Sequence, residues 1–211
     1  MLSPETMAAF FATALLLGVA PGPDNIFVLT QSTLYGARAG IAVTIGLVSG
    51  LCVHTTAVAL GVAALLQSLP AAFTALKILG AAYLLHLARL CFLAGTTKAD
   101  LLRKGDFPGY AALYRRGVVM NVTNPKVTLF FLAFLPRFCD AGRGNVFWQT
   151  IMLGGLFICA TILVFFSVAG LGGRLAAWFA RSQRGQALAH RLTGLIFIAL
   201  ALSLLFAEVG G

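Results

Sequence analysis

Two short stretches of an otherwise apolar chain carry groups able to do chemistry. Pro21-Gly22-Pro23-Asp24-Asn25 sets a carboxylate beside two prolines, and Asn124-Pro125-Lys126 sets an ammonium beside a third. Each proline lacks a backbone N–H and clashes with the preceding helical turn, so a helix is expected to break there. Gly22 relaxes the backbone between its two prolines. Carbonyls and N–H groups freed by a break cannot face lipid and must line a cavity or pack against protein. Asn121 and Asn124 flank Pro125 and can satisfy groups freed there. A plain proline kink would account for either break alone. Two breaks at matched positions, each with an ionisable neighbour, point to a binding site.

Asp24 is the only acidic residue deep in an apolar run. Such a group costs about 2.5–3.5 kcal/mol at the centre of a bilayer, so it must be paired, hydrated or protonated. Lys126 is its formal opposite in the second half of the chain. The two are expected to approach each other and line a substrate site. There Asp24 takes a substrate ammonium or a coupling proton, and Lys126 or the amides of the broken helices take a carboxylate. The competing reading is a buried structural ion pair, because desolvation offsets much of the attraction.

The elements that must hold these groups follow from composition. The chain has 211 residues, 60% hydrophobic and only 10% charged. That excludes an ordinary soluble enzyme, a disordered tail and a small secreted scaffold. Apolar runs cover residues 7–33, 39–66, 71–93, 117–135, 146–171 and 188–207, each near the roughly 20 residues that a spanning helix needs. The expected fold is all-α and integral to the membrane, with six transmembrane helices and discontinuous helices 1 and 4. Residues 1–6 lack a positive leader region, so the first run is expected to stay as a span.

A basic segment at 95–116 divides the chain into 1–94 and 117–211, with three runs on each side. Three spans per half makes the halves enter the membrane from opposite sides, a 3+3 inverted repeat of one transporter domain. A shift of 102 lays Gly22-Pro23-Asp24 on Asn124-Pro125-Lys126, and Gly40 on Gly142. With the N-terminus outside, eleven Lys and Arg fall on the inner side, against Arg137 and Arg143 on the outer. This bias makes 95–116 a cytoplasmic linker and puts both termini in the periplasm. The net charge of +9 is thereby assigned to orientation and anionic lipid head groups rather than to nucleic acid.

Gly46, Gly50, His54, Ala57 and Gly61 share one helical face, and Gly46-x-x-x-Gly50 lets another helix approach closely. His54 on that stripe should face protein, as a hydrogen-bonded packing residue or as a proton relay. Lys77 lies about a turn and a half inside the third run, either snorkelling outward or serving the site. The four cysteines form no C-x-x-C and read as small apolar fillers. No cofactor or metal site is read from the sequence: Asp24 and His54 alone are too few ligands for a metal-ion exporter. An intramembrane enzyme would need a nucleophile–base pair at depth, and the deep candidates are already assigned.

At these motifs the chain resembles the lysine/threonine exporter family of bacterial amino-acid efflux proteins. The resemblance rests on PGPDNIFVL at 21–29, the glycines at 36, 40, 46 and 50, LKILGAAYLLHLA at 76–88, and NPKVTLFFLAFLPRF at 124–138. It implies a six-span inner-membrane exporter, driven by the proton gradient, that moves amino acids or close derivatives outward. The family's motif falls on Pro21, Gly22, Pro23 and Asp24, on Asn124, Pro125 and Lys126, and on Lys77. The expected partners are a small zwitterion, a coupling proton and lipid, with a homodimer left open.

Overall fold

The computed structural model describes residues 2–20, 22–61, 69–93, 106–181 and 183–206. Among them every regular element is a helix. In chain order these are α1 (Pro4–Val19), α2 (Pro23–Tyr35), α3 (Ala37–Ala59), α4 (Pro70–Leu93), α5 (Tyr110–Val122), α6 (Pro125–Leu129), α7 (Val146–Arg181) and α8 (Gln183–Leu205). Among the described residues, each of the six apolar runs lies largely on helix. α3 and the Val146–Gly172 stretch of α7 are each long and apolar enough to cross a membrane. The pairs α1–α2 and α5–α6 qualify when each is taken as one bent span, giving two to four candidate spans. The apolar part of α8, His190–Leu202, is shorter than a crossing.

Both expected breaks are present. α1 starts at Ser3, whose side chain accepts from the Thr6 N–H at 3.2 Å, with Pro4 in the first turn. It ends at Ala20, and α2 restarts behind an extended Gly22 with Pro23 in its first turn. The two segments bend by 60°. α5 ends at Thr123, and α6 restarts behind Asn124 with Pro125 in its first turn, at 47°. Beyond Leu129 the backbone loosens into a π-turn at Phe130–Phe134 and a 3₁₀ turn at Leu135–Phe138. Gly36, at φ +85°, makes the turn from α2 to α3, a backbone angle that suits glycine alone.

Two apolar clusters divide the interior, and each bent pair straddles them. One cluster gathers Phe10, Ala14 and Leu17 of α1 with Val127 of α6, Phe130 and Phe131, joined by Phe157 of α7 and Phe197 of α8. The other gathers Val28 of α2 with Leu113 of α5, Val43 and Leu47 of α3, and Phe165 of α7. α1 thus shares a cluster with α6, and α2 shares one with α5. The ends agree: Leu2, Ser3 and Glu5 share an open cleft with Arg137, Asp140 and Arg143, which follow α6. At the opposite end the Tyr35 hydroxyl donates to the Asp106 carbonyl at 3.2 Å, and Arg116 lies over the Phe27 ring. The two bent pairs therefore run antiparallel, with their breaks side by side.

α3 packs against α2, α5 and α7, while α4 packs on α8. The expected small-residue stripe is the reason for one of these contacts. A Cβ on Gly46 would strike the Tyr114 carbonyl oxygen and lie 3.0 Å from the Gly117 Cα, and a Cβ on Gly50 would lie 2.6 Å from the Asn121 side chain. α5 is the close neighbour, and it begins earlier than hydropathy implies. Residues 110–116, within the predicted basic linker, form its first turns. The linker residues 95–105 lie outside the described residues.

Candidate functional site

Broken helices leave particular carbonyls without donors, and the site grows from how these are answered. In an unbroken α1–α2 helix the Leu17 carbonyl would accept from the amide of residue 21, but Pro21 has no N–H. The Lys126 ammonium takes its place, donating to Leu17 O at 3.2 Å and to Ala20 O at 3.5 Å. Asn25 reaches back as well, its Nδ2 donating to Gly18 O at 2.7 Å. At the other break the Asn121 carbonyl loses its donor to Pro125. It accepts instead from the Asn124 N–H at 3.0 Å and faces His54 Nε2 at 3.2 Å. Each break is thus closed by a side chain from the other half.

Asn124 joins the two breaks directly. Its Oδ1 accepts from the Lys126 backbone N–H at 3.0 Å, capping α6, while its Nδ2 donates to Asp24 Oδ2 at 2.9 Å. Asp24 and Lys126 are both buried, at 5% and 7% exposure. The approach expected of them is mediated: Asn124 holds the carboxylate and the α1 carbonyls hold the ammonium. Gly22 leaves room for this arrangement, since a Cβ there would sit 3.4 Å from Lys126 Nζ. Lys126 also lines a small cavity with Leu17, Leu84, Phe130 and Leu204, with about 20 Å³ open to the centre of a water molecule. That is room for about one water.

The remaining sequence candidates fall in different places. Pro23 and Pro125 sit in the first turns of α2 and α6, and Pro21 lies outside the described residues. His54 faces protein as expected, stacked obliquely near Phe131 with ring centroids 5.5 Å apart. Asn121 is buried, and it is its main-chain carbonyl that engages His54. Lys77 is half-buried on α4, one turn before Gly80, whose face meets Leu129 and Leu204. No group of three or more His, Cys, Asp or Glu side chains among the described residues is placed to hold a metal ion.

Sequence reasoning did not pick out Leu17, Gly18 and Ala20, which act through the main chain. The signal that marks Leu17 is the proline four residues later.

A family profile for LysE type translocators matches residues 15–208, nearly the whole chain and both breaks. The chain belongs to this family. Relatives of this translocator match 87–95% of its length. An uncharacterized membrane protein of Vibrio cholerae is 31% identical over 95% of this chain and 96% of its own. One from Pseudomonas aeruginosa is 33% identical over 87% of both chains. One from Bacillus subtilis is 25% identical over 92% of this chain and 95% of its own. No solved structure matches the translocator. The family resemblance seen in the motifs is thus confirmed, and with it a multi-pass membrane protein of a translocator family.

Proposed function

We propose that this translocator is a secondary-active exporter of amino acids or close derivatives across the bacterial inner membrane, coupled to protons. The observation that carries the reading is the junction of the two breaks. A buried carboxylate and a buried ammonium meet there through Asn124, between antiparallel bent helices. Ionisable groups held at helix breaks in a membrane mark substrate and ion pathways. An α-amino acid carries the complementary pair of charges. In this reading Asp24 receives the substrate ammonium or the coupling proton, and the substrate carboxylate turns to Lys126.

The antiparallel course of α1–α2 and α5–α6 supports a 3+3 inverted repeat of six spans, with α4 and α8 as the third and sixth. The bias of Lys and Arg supports periplasmic termini. Alternating access would then open the junction to one side at a time, by rocking one half against the other.

The test is amino-acid release from cells producing wild type, Asp24→Asn and Lys126→Ala at matched membrane levels, with a protonophore control. Release by the wild type alone, abolished by the protonophore, supports proton-coupled export through this junction. Release by Asp24→Asn equal to wild type makes the charge structural and removes the mechanism. No release by the wild type removes the amino-acid assignment.

A further inference from the structure

Two buried side-chain oxygens at the first break accept no hydrogen bond: Asp24 Oδ1 and Asn25 Oδ1. Asp24 is only 5% exposed. A buried acceptor left without a donor is costly, so such a pair marks a place where a donor is to be received. Lys126 brings a strong donor to this neighbourhood, yet its protons go to the Leu17 and Ala20 carbonyls. Those carbonyls end α1 and carry the negative end of its dipole. A Cβ on Gly22 would lie 3.4 Å from Lys126 Nζ and 3.9 Å from Asn25 Oδ1, so the ammonium and one orphan oxygen border the same small space.

We propose that the carbonyl end of α1, with Asp24 and Asn25, is a receptor for a primary ammonium, and that Lys126 occupies it as a tethered stand-in until the substrate's ammonium displaces it. This rests on the export reading above and names how its site is gated. A displaced lysine cannot be left bare. Its other surroundings are the Phe197 ring, 5.9 Å from Nζ, and the apolar Leu84, Leu129, Phe130 and Leu204, none of which offers the ammonium a counter-charge. A molecule with a carboxylate beside its ammonium supplies both halves of the exchange: its ammonium enters the receptor, and its carboxylate takes the lysine it has evicted. A simple amine evicts the lysine without giving it a partner. A simple carboxylate has no means to draw the lysine out. Selectivity for zwitterions then follows from the movement of one side chain, and the empty carrier is held shut by its own lysine.

Removing that lysine should turn the protein into a receptor for a free amine. Lys126→Ala is purified in detergent and its thermal midpoint followed with millimolar propylammonium chloride, sodium propionate or sodium chloride. Propylammonium is expected to raise the midpoint of Lys126→Ala by about 3 °C or more and to leave the wild type unmoved, with propionate inert on both. Where the alanine variant is not recovered as a monodisperse species, Lys126→Ser opens the same space. Amine-dependent recovery of monodisperse protein is then the readout. No amine-dependent gain in either variant overturns the proposal, as does an equal gain in the wild type. Amino-acid release by the wild type is scored separately. Release without amine rescue removes the receptor and keeps the exporter; rescue without release does the reverse.

Discussion

His54 Nε2 lies 3.2 Å from the Asn121 carbonyl oxygen, the acceptor that Pro125 leaves without its helical donor. A carbonyl only accepts, so this contact is a hydrogen bond in the tautomer that carries a proton on Nε2, and it ties α3 to the lip of the second break. His54→Ala is expected to lower stability by about 0.5–1 kcal/mol, the scale of one interhelical hydrogen bond in a membrane. His54→Gln keeps a donor and should recover most of it. Export by the glutamine variant should stay within about threefold of wild type, a barrier change under 1 kcal/mol. A tenfold loss in that variant would assign His54 to proton relay instead.

Pro125→Ala returns the missing N–H to the helix. The Asn121 carbonyl then regains an intrahelical partner, and the 47° bend loses its cause. The variant is expected to be as stable as wild type or more so, and to export at least about tenfold more slowly. Thermal denaturation and amino-acid release on the same preparations check both halves. A variant as active as wild type would show that the break plays no part in transport.

Asp24→Asn separates the carboxylate's charge from its shape. The buried negative charge disappears while Oδ1 and Nδ2 of the new residue can still meet Asn124. Stability should fall, because the buried Lys126 ammonium loses the opposite charge, and release at matched membrane levels should fall at least about tenfold. Release at the wild-type rate would make the carboxylate structural.

Cys139 follows the second bent pair and is half-buried, its sulfur 3.7 Å from the Thr150 hydroxyl. Burial pushes its thiol above the ordinary range, with the Thr150 contact opposing more weakly. A raised pKa leaves less thiolate at any pH below it, and thiolate is the reactive form. With the other three cysteines replaced, an impermeant maleimide should label this position slowly at neutral pH and keep accelerating beyond the range of a free thiol. In right-side-out vesicles the label should react without permeabilisation. Labelling that requires permeabilisation would reverse the orientation argued from Lys and Arg.

Several features of this architecture are legible in the residues themselves. Pro21, Pro23 and Pro125 announce the breaks, and Gly46 and Gly50 announce a close helix neighbour, because each lacks something a helix or its surface would otherwise have. The partner at the glycine stripe is harder to read. Gly117 lies on the matching face of α5, but Arg115 and Arg116 beside it lower the local hydropathy and disguise a helix start. The informative pattern there is the buried set Leu113, Gly117 and Asn121 at every fourth position. The bond from Asn124 to Asp24 is least legible of all, for an amide beside a proline looks like a local cap. It is that cap, and its second arm crosses to a residue one hundred positions earlier.

The mutual closing of the breaks has a consequence for synthesis. Lys126 lies 109 residues after Leu17. At typical translation speeds it leaves the ribosome about 5–20 s later. Until then the first helix carries an acceptor that hydrocarbon cannot satisfy. The amino-terminal half must therefore wait, beside water or an insertion factor, for the second half to arrive. Neither half is a self-sufficient piece, and a fragment ending before α5 would be a client for proteolysis rather than a folded domain.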